Sequence, residues 1–244
     1  HVLERDYRVS ANSRTDRMSS VTGVIGISSG ESSRYASFYD ELTQVERPEG
    51  TIVSHAVGLY IQKNRDQLAV HAIELGAEWI WYVDDDHVFL PDTLQKLLAH
   101  DVDIVSGVYV KRVAPFLPVV YYQEANGDAL QHRFTSQDVG LKPVLAVGAG
   151  CLLVKTRVHT ALGAPYWRFG TVPTGAMDGE DIDFCKRARA KGFTVWCDFN
   201  APIGHRTTVV AYPQQVTPGQ WHLRLLDSKG ALIVEGNAAP RAID

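Results

Sequence analysis

Three consecutive aspartates, Asp84-Asp85-Asp86, give the strongest chemical signal in the sequence. They directly follow an apolar run, Trp79 to Val83, which predicts that they lie at the carboxyl end of a buried strand. Ligands of open parallel sheets bind beyond the carboxyl ends of the strands. Adjacent carboxylates repel one another unless a cation neutralises them, and carboxylates suit Mn²⁺ or Mg²⁺. We therefore expect a metal that bridges to phosphate oxygens, the alternative being a solvated acidic turn.

A second acidic group, Glu180-Asp181, stands at the start of a predicted helix from Asp181 to Lys191. Helical spacing places Asp181 on the same face as three apolar or small residues, Phe184, Cys185 and Ala188. The Asp181 carboxylate is therefore predicted to point towards the cleft, while Asp183 turns outward. The alternative is an ordinary acid in the first helical turn that complements the helix dipole. A loop rich in glycine, proline and aromatic residues precedes the helix and suits a mobile lid.

A late histidine, His205, is the third candidate, because imidazole is a common ligand of transition metals such as Mn²⁺. A lone histidine is more often a simple hydrogen-bonding residue. His87 stands beside the aspartates but fits no metal-ligand spacing, and it is predicted to be structural or peripheral.

Alternating apolar runs and helical patterns must position these residues. Apolar strands are predicted at 24–27, 51–59, 79–83 and 102–110, and helices at 62–75 and from Pro91 onward. Strand 79–83 is apolar on both alternating faces, as in a parallel sheet covered by helices on both sides. The alternation predicts an α/β fold with a mostly parallel sheet flanked by helices.

The second half of the chain has weaker periodicity. Residues 115–142 indicate a β-rich excursion, and an apolar strand at 144–147 meets Gly148-Ala149-Gly150. Strands follow at 151–154 and 193–197, and residues 221–235 are typical of a β-hairpin. We expect an N-terminal arm over 1–20, a catalytic domain over 21–206 and a C-terminal extension with the hairpin over 207–244.

Composition excludes several classes of protein. The 244 residues are 45% hydrophobic and 21% charged, which is typical of a globular chain. The net charge of −4 disfavours an extended contact with nucleic acid, and no apolar run reaches the roughly 20 residues of a transmembrane helix. The chain has neither a GxGxxG nor a GxxxxGK[ST] motif. Its three cysteines have no CxxC spacing, and we expect reduced thiols and a cytoplasmic protein.

In their order and spacing, these features resemble the GT-A fold of nucleotide-sugar glycosyltransferases, in particular the DxD-containing family 2-like members. The matching segments are WIWYVDDDHVFLPDTLQKLL, VGAGCLLVKTRV and MDGEDIDFCKRARAKGF, followed by His205. The resemblance covers roughly Val21 to Arg206. One departure is the strand Ile52-Val53-Ser54-His55, which lacks the acidic residue that many members have near the nucleobase.

The resemblance implies roles for single residues. Asp86 and His205, with Asp84, would bind Mn²⁺ or Mg²⁺. The implied nucleotide-sugar contacts are Ser28, Ser29, Arg65, Asp84, Asp85, Gly148, Ala149 and Gly150.

Within that set, Ser28 and Ser29 would line the nucleoside pocket and Arg65 would lie near the nucleotide. Asp84, assisted by Asp85, would contact the ribose or the donor sugar. The segment Gly148-Ala149-Gly150 would allow the donor sugar to approach the backbone closely.

On the acceptor side, the resemblance implies that Asp181 is the catalytic base and that Glu180 orients the acceptor or the sugar. Trp167 would be an aromatic surface for the acceptor. The expected activity is transfer of a hexose from a UDP- or GDP-sugar to a hydroxyl acceptor, with inversion at the sugar carbon.

Two other functions stay open. The first is a sugar-1-phosphate nucleotidyltransferase, although the loop ISSGESS lacks the Gly-rich, Arg/Lys-bearing clamp which that chemistry needs. The second is a non-catalytic module that binds carbohydrate or metal.

Overall fold

The computed structural model describes residues 21–30, 35–123, 129–171, 177–217 and 220–237, and the predicted arm over 1–20 lies outside them. The helices within these ranges are α1 (Ala36–Gln44), α2 (Ile61–Glu74), α3 (Thr93–Ala99), α4 (Thr156–Leu162) and α5 (Glu180–Ala190). The strands are β1 (Gly23–Ser29), β2 (Thr51–Val57), β3 (Trp79–Asp84), β4 (His87–Val88), β5 (Ile104–Val108), β6 (Val120–Gln123), β7 (Ala129–Gln131), β8 (Leu141–Val144), β9 (Ala146–Val147), β10 (Cys151–Lys155), β11 (Gly170–Thr171), β12 (Met177–Asp178), β13 (Val195–Pro202), β14 (Gly204–His205), β15 (Val209–Thr217), β16 (Gln220–Asp227) and β17 (Leu232–Asn237).

A seven-stranded sheet in the order β2-β1-β3-β10-β5-β13-β8 forms the centre of the fold. Strands β2, β1, β3, β5 and β13 run in one direction, whereas β10 and β8 run against them. The α/β class is confirmed, but the sheet is more mixed than the alternation of elements predicted. Strand β10 is reversed because the chain enters it from the turn Gly148-Ala149-Gly150, which lies beside the carboxyl end of β3.

Strand β3 is buried on both faces, as its sequence predicted. Ile80 and Tyr82 pack into one apolar cluster, and Trp81 and Val83 into another on the opposite face. Helix α2 contributes Leu68 to the first of these clusters. The strand is therefore rigidly held up to the point where the aspartates begin.

The carboxyl ends of the parallel strands meet at one edge of the sheet. Ser28 in β1 is the register partner of Asp84 in β3. The amide of Asp84 donates to the carbonyl of Gly150, which precedes β10, at 3.1 Å. Helix α5 buries Phe184 and Cys185 against the core, which confirms the predicted inward face of this helix.

Two smaller sheets complete the part of the chain that bears on the site. Strands β4 and β14 pair antiparallel, with His205 opposite His87. Strands β15, β16 and β17 form a C-terminal sheet, so the predicted hairpin is confirmed but carries an additional strand. Pro213 lies within β15, and proline argues against a strand in a sequence, which explains why β15 was not predicted.

Within the described residues, no helix has both the length and the apolar character needed to cross a membrane.

Candidate functional site

Three side chains offer donor atoms close enough together to hold one cation: Asp86, His87 and His205. Oδ1 of Asp86 lies 3.4 Å from Nδ1 of His87 and 3.5 Å from Nε2 of His205. Two ligands bound at about 2.1 Å to one ion are roughly 3.0–3.4 Å apart, depending on the coordination angle. One carboxylate and two imidazoles form a donor set that suits a transition metal such as Mn²⁺. The residues therefore fit the predicted metal, with His87 in addition.

His205 is oriented for coordination by the backbone. Its Nδ1 lies 2.7 Å from the carbonyl oxygen of Val110. A carbonyl only accepts hydrogen bonds, so Nδ1 carries the proton and Nε2 faces Asp86 with a free lone pair. A hydrogen bond of this kind fixes the tautomer of a metal-binding histidine.

His87 was predicted to be structural or peripheral, and the structure instead places it within the cluster. Its side chain is 1% exposed, and its ring stacks on the ring of His205 with centroids 4.4 Å apart. Neither ring nitrogen of His87 has a hydrogen-bond partner among the described residues. A buried imidazole without partners is costly, and coordination of a cation through Nδ1 would remove part of that cost.

Asp86 is held in its charged form by its neighbours. Burial by itself would raise the pKa of Asp86, but the imidazoles of His205 and His87 beside it outweigh this effect and hold the pKa well below the usual range. The second oxygen, Oδ2, accepts a hydrogen bond from Arg112 at 2.8 Å. A permanently ionised carboxylate is the state that a metal ligand needs.

A single arginine joins the two acidic clusters. Arg65 of α2 donates to Asp84 at 2.9 and 3.2 Å and also contacts Glu180 at the start of α5. The guanidinium is only 3% exposed, and although burial would lower its pKa, the two carboxylates raise it above the usual range. The prediction that Arg65 contacts the nucleotide is therefore replaced by a buried bridging role. Asp84, engaged by Arg65, is not in the three-residue cation cluster, contrary to its predicted role as a metal ligand.

Asp181 differs from the other aspartates of the site in its acidity. Burial first, and then the neighbouring Glu180, raise the pKa of Asp181 to about 6, although Arg65 partly opposes them. Burial first, and then the charges of Asp84 and Asp181, raise the pKa of Tyr109. A carboxylate with a pKa near 6 is suited to take up a proton at neutral pH.

Polar atoms line the ends of β1 and β3 beside the acids. The Ser29 hydroxyl lies 2.7 Å from Nε2 of His55 in β2. The hydroxyl of Ser28 and Oδ2 of Asp85 are buried without a hydrogen-bond partner among the described residues. Ser28 is the register partner of Asp84, the residue before Asp85, and His55 is an additional neighbour of Ser29 that its strand position could have indicated.

The segment Gly148-Ala149-Gly150 packs closely against two side chains of the site. A side chain at Gly148 would collide with the hydroxyl of Tyr109, and one at Gly150 would collide with the ring of His87. Ala149 is buried. The glycines therefore make room for the side chains of Tyr109 and His87, and the contact with a donor sugar stays a prediction.

Trp167 is a core residue and not an exposed acceptor surface. It is 1% exposed, its ring stacks on Phe184 with centroids 4.2 Å apart, and its Nε1 donates to the hydroxyl of Tyr82 at 3.2 Å. The predicted stacking of an acceptor on Trp167 is therefore wrong, because both ring faces lie within the packed interior.

Comparison with known proteins bears on the fold alone. No protein-family model matches the chain, and no curated protein sequence matches it. A solved structure, the crystal structure of A197 from STIV, is similar with a TM-score of 0.55 and 15% sequence identity. The similarity covers 91% of this chain and 98% of that chain. At this identity the match supports the α/β architecture over nearly the whole length and says nothing of the reaction.

Proposed function

We propose that the protein is a metal-dependent glycosyltransferase of the GT-A fold, which transfers a hexose from a UDP- or GDP-sugar to a hydroxyl acceptor. The observation that carries the proposal is the bridge made by Arg65. It contacts Asp84 of the aspartate triplet and Glu180, the neighbour of Asp181. The bridge holds the aspartate triplet close to the helical turn that carries Asp181, and the proposed reaction needs a cation-binding motif and a base close together.

The donor would be held at the carboxyl ends of β1 and β3. Asp86, His87 and His205 would hold Mn²⁺ or Mg²⁺, and the nitrogen-rich donor set favours Mn²⁺. When bound, the cation supplies positive charge next to the leaving diphosphate. Ser28, Ser29 and Asp85 would contact the nucleoside.

The chemical step would use Asp181 as general base. The acceptor oxygen forms a bond to the anomeric carbon of the hexose while the bond from that carbon to the phosphate oxygen breaks. The acceptor proton passes to the Asp181 carboxylate, and the electron pair of the broken bond leaves with the nucleoside diphosphate. A base on the acceptor side favours inversion at the anomeric carbon.

Arg65 would act as a positioning residue in this scheme. Because it is buried, it fixes Asp84 and Glu180 relative to each other without contacting substrate. The position of Asp181 then follows from that of Glu180 in the first turn of α5.

Cys151, Cys185 and Cys197 are free and buried thiols, which supports the proposed cytoplasmic location.

Thermal denaturation in the presence of nucleotide sugars tests the proposal. UDP- and GDP-hexoses should raise the melting temperature in Mn²⁺ by several degrees at about 100-fold excess over Kd, since binding to the native state stabilises it by about 2.7 kcal/mol. The same panel in EDTA, and Asp86→Ala in Mn²⁺, serve as controls and should show little or no shift. A wild-type protein that no nucleotide sugar stabilises would contradict the proposal.

A further inference from the structure

Arg112 lies directly beside the cation cluster, in the loop between β5 and β6. This loop is closed by a bond from the Lys111 amide to the Leu117 carbonyl at 2.9 Å and by a bridge between Val110 and Pro118. The Arg112 guanidinium donates to Oδ2 of Asp86 at 2.8 Å, and its side chain is 46% exposed.

The two oxygens of Asp86 face different partners. Oδ1 is the oxygen nearest to both imidazoles, whereas Oδ2 faces Arg112. A cation held by Oδ1 and the histidines therefore leaves the contact between Asp86 and Arg112 in place. Within the described part of the chain, the other N–H groups of Arg112 have no protein partner.

An arginine in this position is suited to bind phosphate. Its planar guanidinium presents several N–H donors, which match phosphate oxygens in a charge-assisted, bidentate geometry. Arg65, the arginine first expected near the nucleotide, is buried and committed to two carboxylates. Arg206 also contacts the cluster, through the carbonyl of His87, but it is 15% exposed and pairs with Glu41. Arg112 therefore combines contact with a metal-cluster residue and the greater exposure to solvent.

The C-terminal sheet holds the loop that carries Arg112. Oγ1 of Thr207, just before β15, donates to the carbonyl of Arg112 at 2.7 Å. The buried Asp227 of β16 accepts a hydrogen bond from the Ala114 amide at 3.0 Å through Oδ2. Its Oδ1 accepts two more from the amides of Lys229 and Ala231, which fixes the turn between β16 and β17.

We propose that Arg112 binds the terminal phosphate of a diphosphate group next to the cation, and that Thr207 and Asp227 are positioning residues which hold its loop there. The inference rests on the proposed function in that it names a further contact of the donor. It also assigns a role to the C-terminal sheet, which presents the loop at the cation cluster.

Titration calorimetry in Mn²⁺ tests this assignment with inorganic pyrophosphate, UDP and GDP as ligands. Arg112→Ala should weaken binding of all three by about 10- to 100-fold, since it removes a charge-assisted contact. Arg112→Lys should restore part of the loss. The matched control is Arg157→Ala, which removes an exposed arginine of α4 that pairs with Asp103. This variant should bind all three ligands as the wild type does.

The positioning role is tested by a double-mutant cycle. Thr207→Val and Asp227→Asn should each weaken pyrophosphate binding by about 2- to 5-fold and have no further effect in the Arg112→Ala background, because neighbours that act through one residue are not additive. Equal effects in the wild-type and Arg112→Ala backgrounds would show that Thr207 and Asp227 have a merely structural role, and would overturn their assignment as positioning residues.

Three outcomes separate this inference from the proposed function. Unchanged affinity of Arg112→Ala for diphosphates that the wild type binds would overturn the role of Arg112 and leave the proposed function intact. Arg112-dependent binding of pyrophosphate without any turnover of nucleotide sugars would support Arg112 and overturn the proposed function. A wild-type protein that binds no diphosphate would overturn both.

Discussion

Asp86 and Asp181 belong to the two acidic clusters, and their surroundings drive their acidity in opposite directions. Burial by itself would raise the pKa of Asp86, but the neighbouring imidazoles of His205 and His87 hold it below the usual range. Asp181 is buried beside another carboxylate, and its pKa rises to about 6. In the proposed function, the same residue type would thus serve two tasks, as a permanent anion at the cation cluster and as a proton acceptor at the start of α5.

The comparison of Asp86 with Asp181 shows that different elements of the fold carry the two residues. The cation cluster is assembled by the pairing of β4 with β14 and is closed by the Arg112 loop. The base is presented by the first turn of α5, which packs on the core. Arg65 contacts both Asp84 and Glu180. It therefore fixes the position of one acidic cluster relative to the other.

The largest effect should come from removing the permanent anion. We expect Asp86→Ala to reduce Mn²⁺-dependent release of nucleoside diphosphate by about 10⁴-fold, because a bound cation supplies several kcal/mol of stabilisation to the transition state. The control is Asp103→Ala at the opposite end of β5, which should keep the wild-type rate. Turnover by Asp86→Ala at the wild-type rate would remove Asp86 from the cation site.

A smaller loss should follow when the base is replaced. Asp181→Asn should lower the rate of transfer by about 10³-fold, because general-base catalysis contributes about 10²- to 10⁴-fold. Donor affinity, measured by calorimetry, should stay within about twofold of the wild type. If the transfer rate is unchanged, Asp181 is not the base; if donor binding is lost as well, the two clusters do not have the separate tasks described above.

A third change tests the composition of the cation cluster. His87→Ala should weaken Mn²⁺ binding by about 10- to 100-fold, which is the range typical for partners of a metal site. Electron spin-echo spectroscopy of bound Mn²⁺ should show coupling to two histidine nitrogens in the wild type and to one in His87→Ala. His100→Ala, a half-exposed histidine paired with Asp198, is the control. Identical spectra of His87→Ala and the wild type would exclude His87 as a ligand.

The smallest effect concerns stability and its dependence on pH. A carboxyl whose pKa is raised from about 3.8 to about 6 on folding stabilises the protein while it is protonated, and this contribution is lost as the pH rises through 6. Asp181→Asn should therefore be more stable than the wild type by about 3 kcal/mol at pH 8, with a melting temperature about 6–12 °C higher. Below pH 4 the difference should vanish. If the stability difference between Asp181→Asn and the wild type is the same at pH 8 and below pH 4, the pKa of Asp181 is not raised on folding.

Local patterns in the sequence were sufficient for part of the site. The apolar run before Asp84 predicted a buried strand that ends in carboxylates, and helical spacing placed Asp181 on the inward face of α5. Both inferences depend only on the periodicity of a single element, and the structure confirms the buried strand and the inward face formed by Phe184, Cys185 and Ala188.

Contacts between distant segments could not be predicted in the same way. His87 enters the cluster because β4 pairs with β14, and Arg112 does so because its loop is held by the C-terminal sheet. Arg65 was expected near the nucleotide because the resemblance implied that role, although its spacing to Leu68 and Ala69 on α2 places it on the inward face. Trp167 lies in a segment without periodicity, so its burial had no signal.

Product analysis with a panel of UDP- and GDP-hexoses tests the central claim most directly. The wild-type protein should release nucleoside diphosphate and transfer or hydrolyse the hexose in Mn²⁺, and the release should stop in EDTA and in Asp86→Ala. Release of pyrophosphate from a nucleoside triphosphate and a sugar phosphate, with no turnover of any nucleotide sugar, would contradict glycosyl transfer and indicate a nucleotidyltransferase.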